Sequence, residues 1–253
     1  MPVNLEKATE SLGISLKKKG VLTLPTVDVV FDFDVSGSYK DEHEDGLTEA
    51  LMTRVFPWGL LLDPDKKMEV FTFSDGARHA HYVGDVTEAT YLGYVKRNII
   101  NKVPGWCGYT DYAHVLRLNL QQLGYVGGGK TSDAPLTMPA HIGWYKPGEK
   151  PATLDYLASR KSLIIFNTDG ANDDESETEA LFEEMERKGY SVYVMFIGVS
   201  NQNEKFTFLK KLAKRFANCG LTIIRDMDAW VKKTDEEIAD ELITEELIAW
   251  FNN

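Results

Sequence analysis

Three short segments carry oxygen-bearing side chains at spacings that suit a hard cation. Asp34-Val35-Ser36-Gly37-Ser38 offers a carboxylate and two hydroxyls on alternate residues. Gly108-Tyr109-Thr110-Asp111 offers another hydroxyl, and Thr168-Asp169-Gly170 another carboxylate. Mg2+ takes six oxygens in near-octahedral geometry and keeps some of its waters, so one or two carboxylates with several neutral hydroxyls suit it. Gly37 lets the first loop fold tightly enough for both serine hydroxyls to face one point. Asp, Ser and Gly favour turns in any protein. One such loop would therefore mean little, whereas three of them at strand ends point to a shared site.

The elements that must deliver these loops are legible as alternating periodicities. Residues 27–33 (VDVVFDF) form a β-rich run that feeds the first loop. Residues 45–62 carry helical spacing through Leu47, Leu51, Val55 and Trp58, with Pro57 predicting a kink or an early stop. A second strand at 68–73 leads through the turn signal Asp75-Gly76 into an antiparallel edge strand. Helices are expected over 88–100, 110–123, 175–188, 204–217 and 234–251, the 175–188 helix closed by Gly189. Further strands are expected at 163–167, 191–198 and 221–224. In the last helix, Ile238, Leu242, Leu247 and Phe251 read as core contacts. Strands alternating with helices give a mostly parallel sheet covered on both faces. Ligands of such sheets sit beyond the carboxyl ends of the strands, where strand order reverses. Residues 124–152, rich in Gly and Pro and without periodicity, read as an insertion.

Asp34-x-Ser36-x-Ser38, a distant Thr110 and Asp169-Gly170 together resemble the metal-ion-dependent adhesion site of von Willebrand factor A (vWA) domains. The likeness covers roughly residues 27–230. It implies a three-layer, Rossmann-like α/β fold with one antiparallel edge strand and helices on both faces. It also implies an N-terminal extension over 1–26 and a vWA domain over 27–253. Asp34, Ser36, Ser38, Thr110 and Asp169 are then the expected metal ligands, the serines direct and the carboxylates direct or through water. The metal is Mg2+, with Mn2+ or Ca2+ as alternatives. A remaining coordination position would take an acidic side chain from a protein partner. Phe71-Thr72-Phe73-Ser74 and Thr110-Asp111-Tyr112-Ala113 with Val115-Leu116 are most similar to the tellurium-resistance-associated vWA group. Tyr39 departs from that group, many of whose members carry Met there, and so does the 124–152 insertion.

Rival motifs compete for the same residues. Asp32-Phe33-Asp34 also resembles the Asp-x-Asp signature of haloacid-dehalogenase-like phosphatases. In that reading Asp32 is the nucleophile, Asp34 the acid/base, and Asp169 with Asp173 hold Mg2+. It leaves Ser38 and the Thr110 loop unexplained. Gly124 to Lys130-Thr131 fits a phosphate-loop spacing, but a helix precedes it where a strand is needed. His79 and His81 share a strand face with no third ligand in view, and Cys107 reads as a buried thiol with no activating base.

Composition narrows the partners. The formal charge of −11 repels nucleic acid, and the one basic run, Lys17-Lys18-Lys19, reads as a solvated surface turn. Two cysteines make no disulfide framework, and no apolar run has the length of a signal peptide or a membrane span. A cytoplasmic protein is expected.

Overall fold

The computed structural model describes residues 3–126, 161–170, 172–199 and 204–253. Six strands form one sheet: β1 (Val27–Asp34), β2 (Met68–Phe73), β3 (His81–Val86), β4 (Lys161–Thr168), β5 (Val192–Val199) and β6 (Cys219–Ile224). Their order is β3-β2-β1-β4-β5-β6, with every neighbouring pair parallel except β2 and β3. β1 sits at the centre, its Asp32 in register with Phe71 of β2 and Phe166 of β4. The chain leaves β1 towards β2 on one side and resumes at β4 on the other. Strand order therefore reverses at the β1/β4 boundary, and a crevice opens beyond the carboxyl ends there.

Helices cover both faces. On one lie α1 (Leu5–Lys18), α2 (Lys40–Glu44), α3 (Leu47–Leu62), α4 (Tyr94–Asn98), α8 (Met227–Trp230), α9 (Asp235–Leu242) and α10 (Glu245–Asn252). Their apolar side chains form one core with Val29, Phe31, Phe33 and Ile165. The opposite face carries α5 (Ala113–Gln122), α6 (Glu175–Lys188) and α7 (Thr207–Arg215), packed on Val30, Phe166 and Phe196. Successive β1 residues point to opposite faces, so its near-continuous apolar run serves both cores. This is the expected three-layer α/β class, with one antiparallel edge strand.

Several local expectations are corrected. α3 runs through Pro57 to Leu62 without stopping. Val55, Phe56 and Trp58 around the proline are buried, and that packing outweighs the lost N–H bond. Gly59 follows, where a Cβ would strike the Lys67 carbonyl at 2.7 Å, so α3 lies tight against the entry to β2. The 88–100 segment holds only α4, because the chain turns first. Thr87 N–H donates to the Thr90 hydroxyl, and Gly93 takes φ +69°. The 234–251 segment is two helices, capped by Thr234 and Thr244, whose hydroxyls accept from Glu237 and Leu247 N–H. Ile238, Leu242, Leu247 and Phe251 are all buried, as expected.

Lys17-Lys18-Lys19 is the last turn and cap of α1 rather than a free surface turn. Lys18 pairs with Glu236 at 2.6 Å, and Lys19 donates to the Asp240 and Ile243 carbonyls, so the run docks on α9. His79 lies in the turn before β3, 3.4 Å from Asp75, and only His81 is on the strand. Of the 124–152 insertion and the phosphate-loop spacing, all beyond Val126 lies outside the described residues. No helix among the described residues is long and apolar enough to cross a membrane.

Candidate functional site

The carboxyl ends of β1 and β4 bring Asp34 and Asp169 to the switch point. Asp34 is fully buried, and both of its oxygens are engaged. Oδ1 accepts from Ser36 N–H at 2.8 Å, and Oδ2 accepts from the Thr168 hydroxyl at 2.6 Å. The first bond turns the chain so that Ser36 and Ser38 present their hydroxyls side by side, 3.2 Å apart. Ser38 then donates to Asp169 Oδ1 at 3.0 Å. A continuous file of oxygens thus runs from Asp34 through Ser36 and Ser38 to Asp169. Ser36 is buried, while Gly37 and Ser38 are exposed, so the file opens to solvent at one end.

The Thr110 loop is fastened beside this file. Ser36 and Gly108 form a parallel bridge, Gly37 N–H donates to the Gly108 carbonyl at 2.9 Å, and Cys107 N–H donates to Val35 O. Thr110 itself is 7% exposed, and its carbonyl accepts from Asp173 N–H at 2.8 Å. The loop is therefore clamped between the first and third segments. Among the described residues the Thr110 hydroxyl makes no hydrogen bond to the other four candidate ligands. Cys107 is exposed, at φ +64°, and not buried as its apolar neighbours suggested, because the tight turn directs this loop outward. Tyr109 stands 75% exposed on the same rim.

Supporting residues came from far along the chain. The Tyr112 hydroxyl lies 3.1 Å from Thr168 Oγ1 and donates to Gly170 O at 2.7 Å. Asp174 accepts from Tyr112 and Ala113 N–H, and so caps α5 from another segment. Asp111 accepts from Gly76 N–H, and Asp75 from Tyr109 N–H, tying the β2–β3 turn to the Thr110 loop. His43 donates from Nε2 to the Asp34 carbonyl and accepts from Thr48 at Nδ1. Burial lowers its pKa to about 4, so it stays neutral. Asp75-Gly76 carried a turn signal, and Thr168, Asp111 and Tyr112 stood within recognised motifs, but no sequence signal assigned any of them these supporting bonds.

The site is short of positive charge. Burial raises the Asp34 pKa, against the hydrogen bonds from Ser36 and Thr168. Burial, then the charge of Asp34, pushes Asp169 up to about 8. Among the described residues neither carboxylate has an ion pair with a lysine or arginine. Two carboxyls, two serine hydroxyls and a clamped threonine loop make a hard-oxygen cradle that a divalent cation fits, since its charge would offset the burial that disfavours both carboxylates. No cluster of three His, Cys, Asp or Glu among the described residues offers a different kind of metal site.

Asp32 has no exposed surface, and its Oδ2 accepts from Asn119 Nδ2 at 2.6 Å. A nucleophile has to reach its substrate, and this carboxyl is sealed beneath α5. Lys161, the first residue of β4, donates to the Trp250 and Phe251 carbonyls.

Fold and site define a three-layer α/β protein with an oxygen-lined crevice at its topological switch point. No protein-family model matches the chain, and no curated protein sequence matches it. Among solved structures it is similar to proximal thread matrix protein 1 from mussel byssus, at 17% identity and TM-score 0.45, over 87% of this chain and 48% of that one. It is also similar to manganese-loaded TRAP protein from Plasmodium vivax, at 14% identity and TM-score 0.47, over 88% and 73%. The chain spans about half the length of the mussel protein.

Proposed function

We propose that the chain is a vWA-type binding module that uses one divalent cation, Mg2+ first and Mn2+ or Ca2+ as alternatives, to capture an acidic side chain of a partner protein. The observation that carries this reading is the file Asp34–Ser36–Ser38–Asp169, which crosses the switch point with no basic partner among the described residues. The cation would supply positive charge and an exchangeable coordination position. Ser36, Ser38 and Thr110 would contribute neutral oxygens, leaving the charge available to an incoming carboxylate. Asp34, fixed by Thr168 and the Ser36 amide, would orient the first loop and reach the cation directly or through water. Asp169 would hold Ser38 in place. The exposed rim of Gly37, Ser38 and Tyr109 supports access for a partner. The chain's −11 charge makes cation mediation useful, since an acidic partner is otherwise repelled.

Thermal melts with Mg2+ and with EDTA test this. At Mg2+ about 100 times its Kd, the fold gains roughly 2.7 kcal/mol. Ser38→Ala and Thr110→Ala should each shrink the difference between the two melts, and identical midpoints at every Mg2+ concentration would sink the reading. We propose binding without turnover, so aryl phosphates should remain intact with the Mg2+-loaded protein. The narrower likeness to the tellurium-resistance group extends the proposal to that kind of stress system. Tellurite survival of a host lacking this chain decides that extension.

A further inference from the structure

Beside the oxygen file lies a second concavity of about 170 Å3, between the start of α6 and the start of α7. That is well under the roughly 300–1,000 Å3 of a small-molecule cleft and suits one long side chain. Its apolar walls are Tyr112, Phe206 and Phe208. Phe206 is held in a left-handed conformation, φ +49°, with its ring packed so closely over Gly198 that a Cβ there would meet it at 2.9 Å. This wall is therefore rigid. Gly170, the residue after Asp169, lines the near end, and Tyr112 bonds the same glycine's carbonyl. The concavity and the oxygen file thus share a boundary.

Asn172 makes the concavity chemically specific. It is 7% exposed, and its Nδ2 donates to Asp174 Oδ1 at 2.7 Å and to Thr178 Oγ1 at 3.4 Å. Those bonds fix the amide, and Oδ1 is buried with no hydrogen-bond partner among the described residues. A buried acceptor left unpaired costs about 1–3 kcal/mol, so it marks a place where a donor belongs. The acidic residues lining the concavity are Glu175 and Glu204, and among the described residues no lysine, arginine or histidine lines it. Part of that negative charge answers the helix starts, since Glu204 Oε1 accepts from Lys205 and Phe206 N–H. The sum is a cavity with an apolar throat, a waiting acceptor and acidic residues at its lining.

We propose that this cavity binds the side chain of a partner lysine, its methylenes against Tyr112, Phe206 and Phe208 and its ammonium at Asn172 Oδ1 and Glu175. Resting on the reading of the neighbouring crevice as a cation site, the lysine belongs to the same partner segment as the captured carboxylate. The partner motif is then an acidic residue followed or preceded at short range by a lysine.

NMR titration of the full chain with Nα-acetyl-lysine methylamide tests the cavity, with and without Mg2+. Saturable shifts are expected at the Asn172 side-chain amide and at the Phe208 and Leu209 backbone amides. They should be the same in EDTA. The norleucine analogue, which keeps the stem and lacks the ammonium, should bind weaker by about fivefold or more, the factor of one net hydrogen bond. Glu175→Gln should weaken lysine and leave norleucine unchanged. Equal binding of the lysine and norleucine analogues, or silence at those amides, overturns the proposal. Acetylated Asp-(Gly)n-Lys peptides then test the link. At one spacer length they should bind the Mg2+-loaded protein about tenfold or more tighter than the norleucine series. A flat series overturns the shared-segment claim. Lysine binding without any Mg2+-dependent binding of the Asp peptides would instead remove the cation reading and leave the cavity assignment standing.

Discussion

Asp32 and Asp34 leave β1 on the same face, yet their surroundings treat them differently. Asp34 accepts hydrogen bonds at both oxygens, whereas Asp32 has one bond from Asn119 and a second oxygen with none. Burial therefore drives the Asp32 pKa well above the usual carboxylate range and favours the uncharged acid, against the hydrogen bond from Asn119. Asp32→Asn keeps the shape and the uncharged state, so urea midpoints should move by no more than about 1 kcal/mol. Asn119→Leu strands the acid and should cost about 1–3 kcal/mol. A large loss from Asp32→Asn would mean that a charged carboxylate matters there after all. At this scale the sequence was informative only locally. The spacing of Asp34, Ser36 and Ser38 is visible because one turn makes it. The supporting roles of Thr168, Tyr112 and Asn119 are invisible because the sheet and α5 bring them in from distant segments, and strand alternation places Asp32 on a face without naming its partner.

Elements decide whether the threonine loop can stay beside the serines. Gly105 takes φ +75°, and a Cβ on it would overlap the Ser74 hydroxyl and the His79 side chain. Gly105→Ala should destabilise by roughly 1–3 kcal/mol through backbone strain and displacement. It should also diminish the Mg2+-dependent melt shift although it touches no candidate ligand. An unchanged shift would show that the loop's position does not matter. The sheet was the most legible part, because β1, β2, β4 and β5 are long apolar runs with polar punctuation. Helix ends were less so. Residues 88–100 have apolar residues at helical spacing, and only the left-handed Gly93 with the Thr87–Thr90 turn interrupts them. Residues 234–251 likewise read as continuous, and Thr244 divides them by capping α10 and meeting the Tyr193 hydroxyl at 3.2 Å.

Across the whole molecule, stability is divided between two cores with β1 and β4 common to both. α1 contributes Leu12 and Leu16 to the first of them and is latched to α9 by Lys18 and Lys19. Leu16 is fully buried, so Leu16→Ala should cost about 2–5 kcal/mol in denaturant unfolding. At the amino end of the sheet, burial raises Asp63 to about 8, although its oxygens accept from Val29 and Asp65 N–H. Burial and Asp85 raise Glu69 to about 7, with Lys67 opposing and Asp28 and Asp65 adding to the rise. Folded values above the unfolded ones mean that this stability is complete in acid and is lost as pH climbs through 7 to 8. In EDTA the unfolding free energy should therefore fall from pH 5 to 8, by at most about 1.4 kcal/mol per pH unit for each group. Asp63→Asn should flatten the slope, and an equally steep variant would contradict the assignment.

The crevice draws on residues 34–38, 74–76, 108–111, 168–170 and 172–174, which are neighbours only once β1, β2 and β4 are paired. Contacts this distant along the chain form late, after the loops between them have closed. An occupant of the crevice therefore has nothing to grip in the partly assembled chain. It would lengthen the lifetime of the native state by slowing the first opening of the sheet, while the speed of refolding stayed as it was.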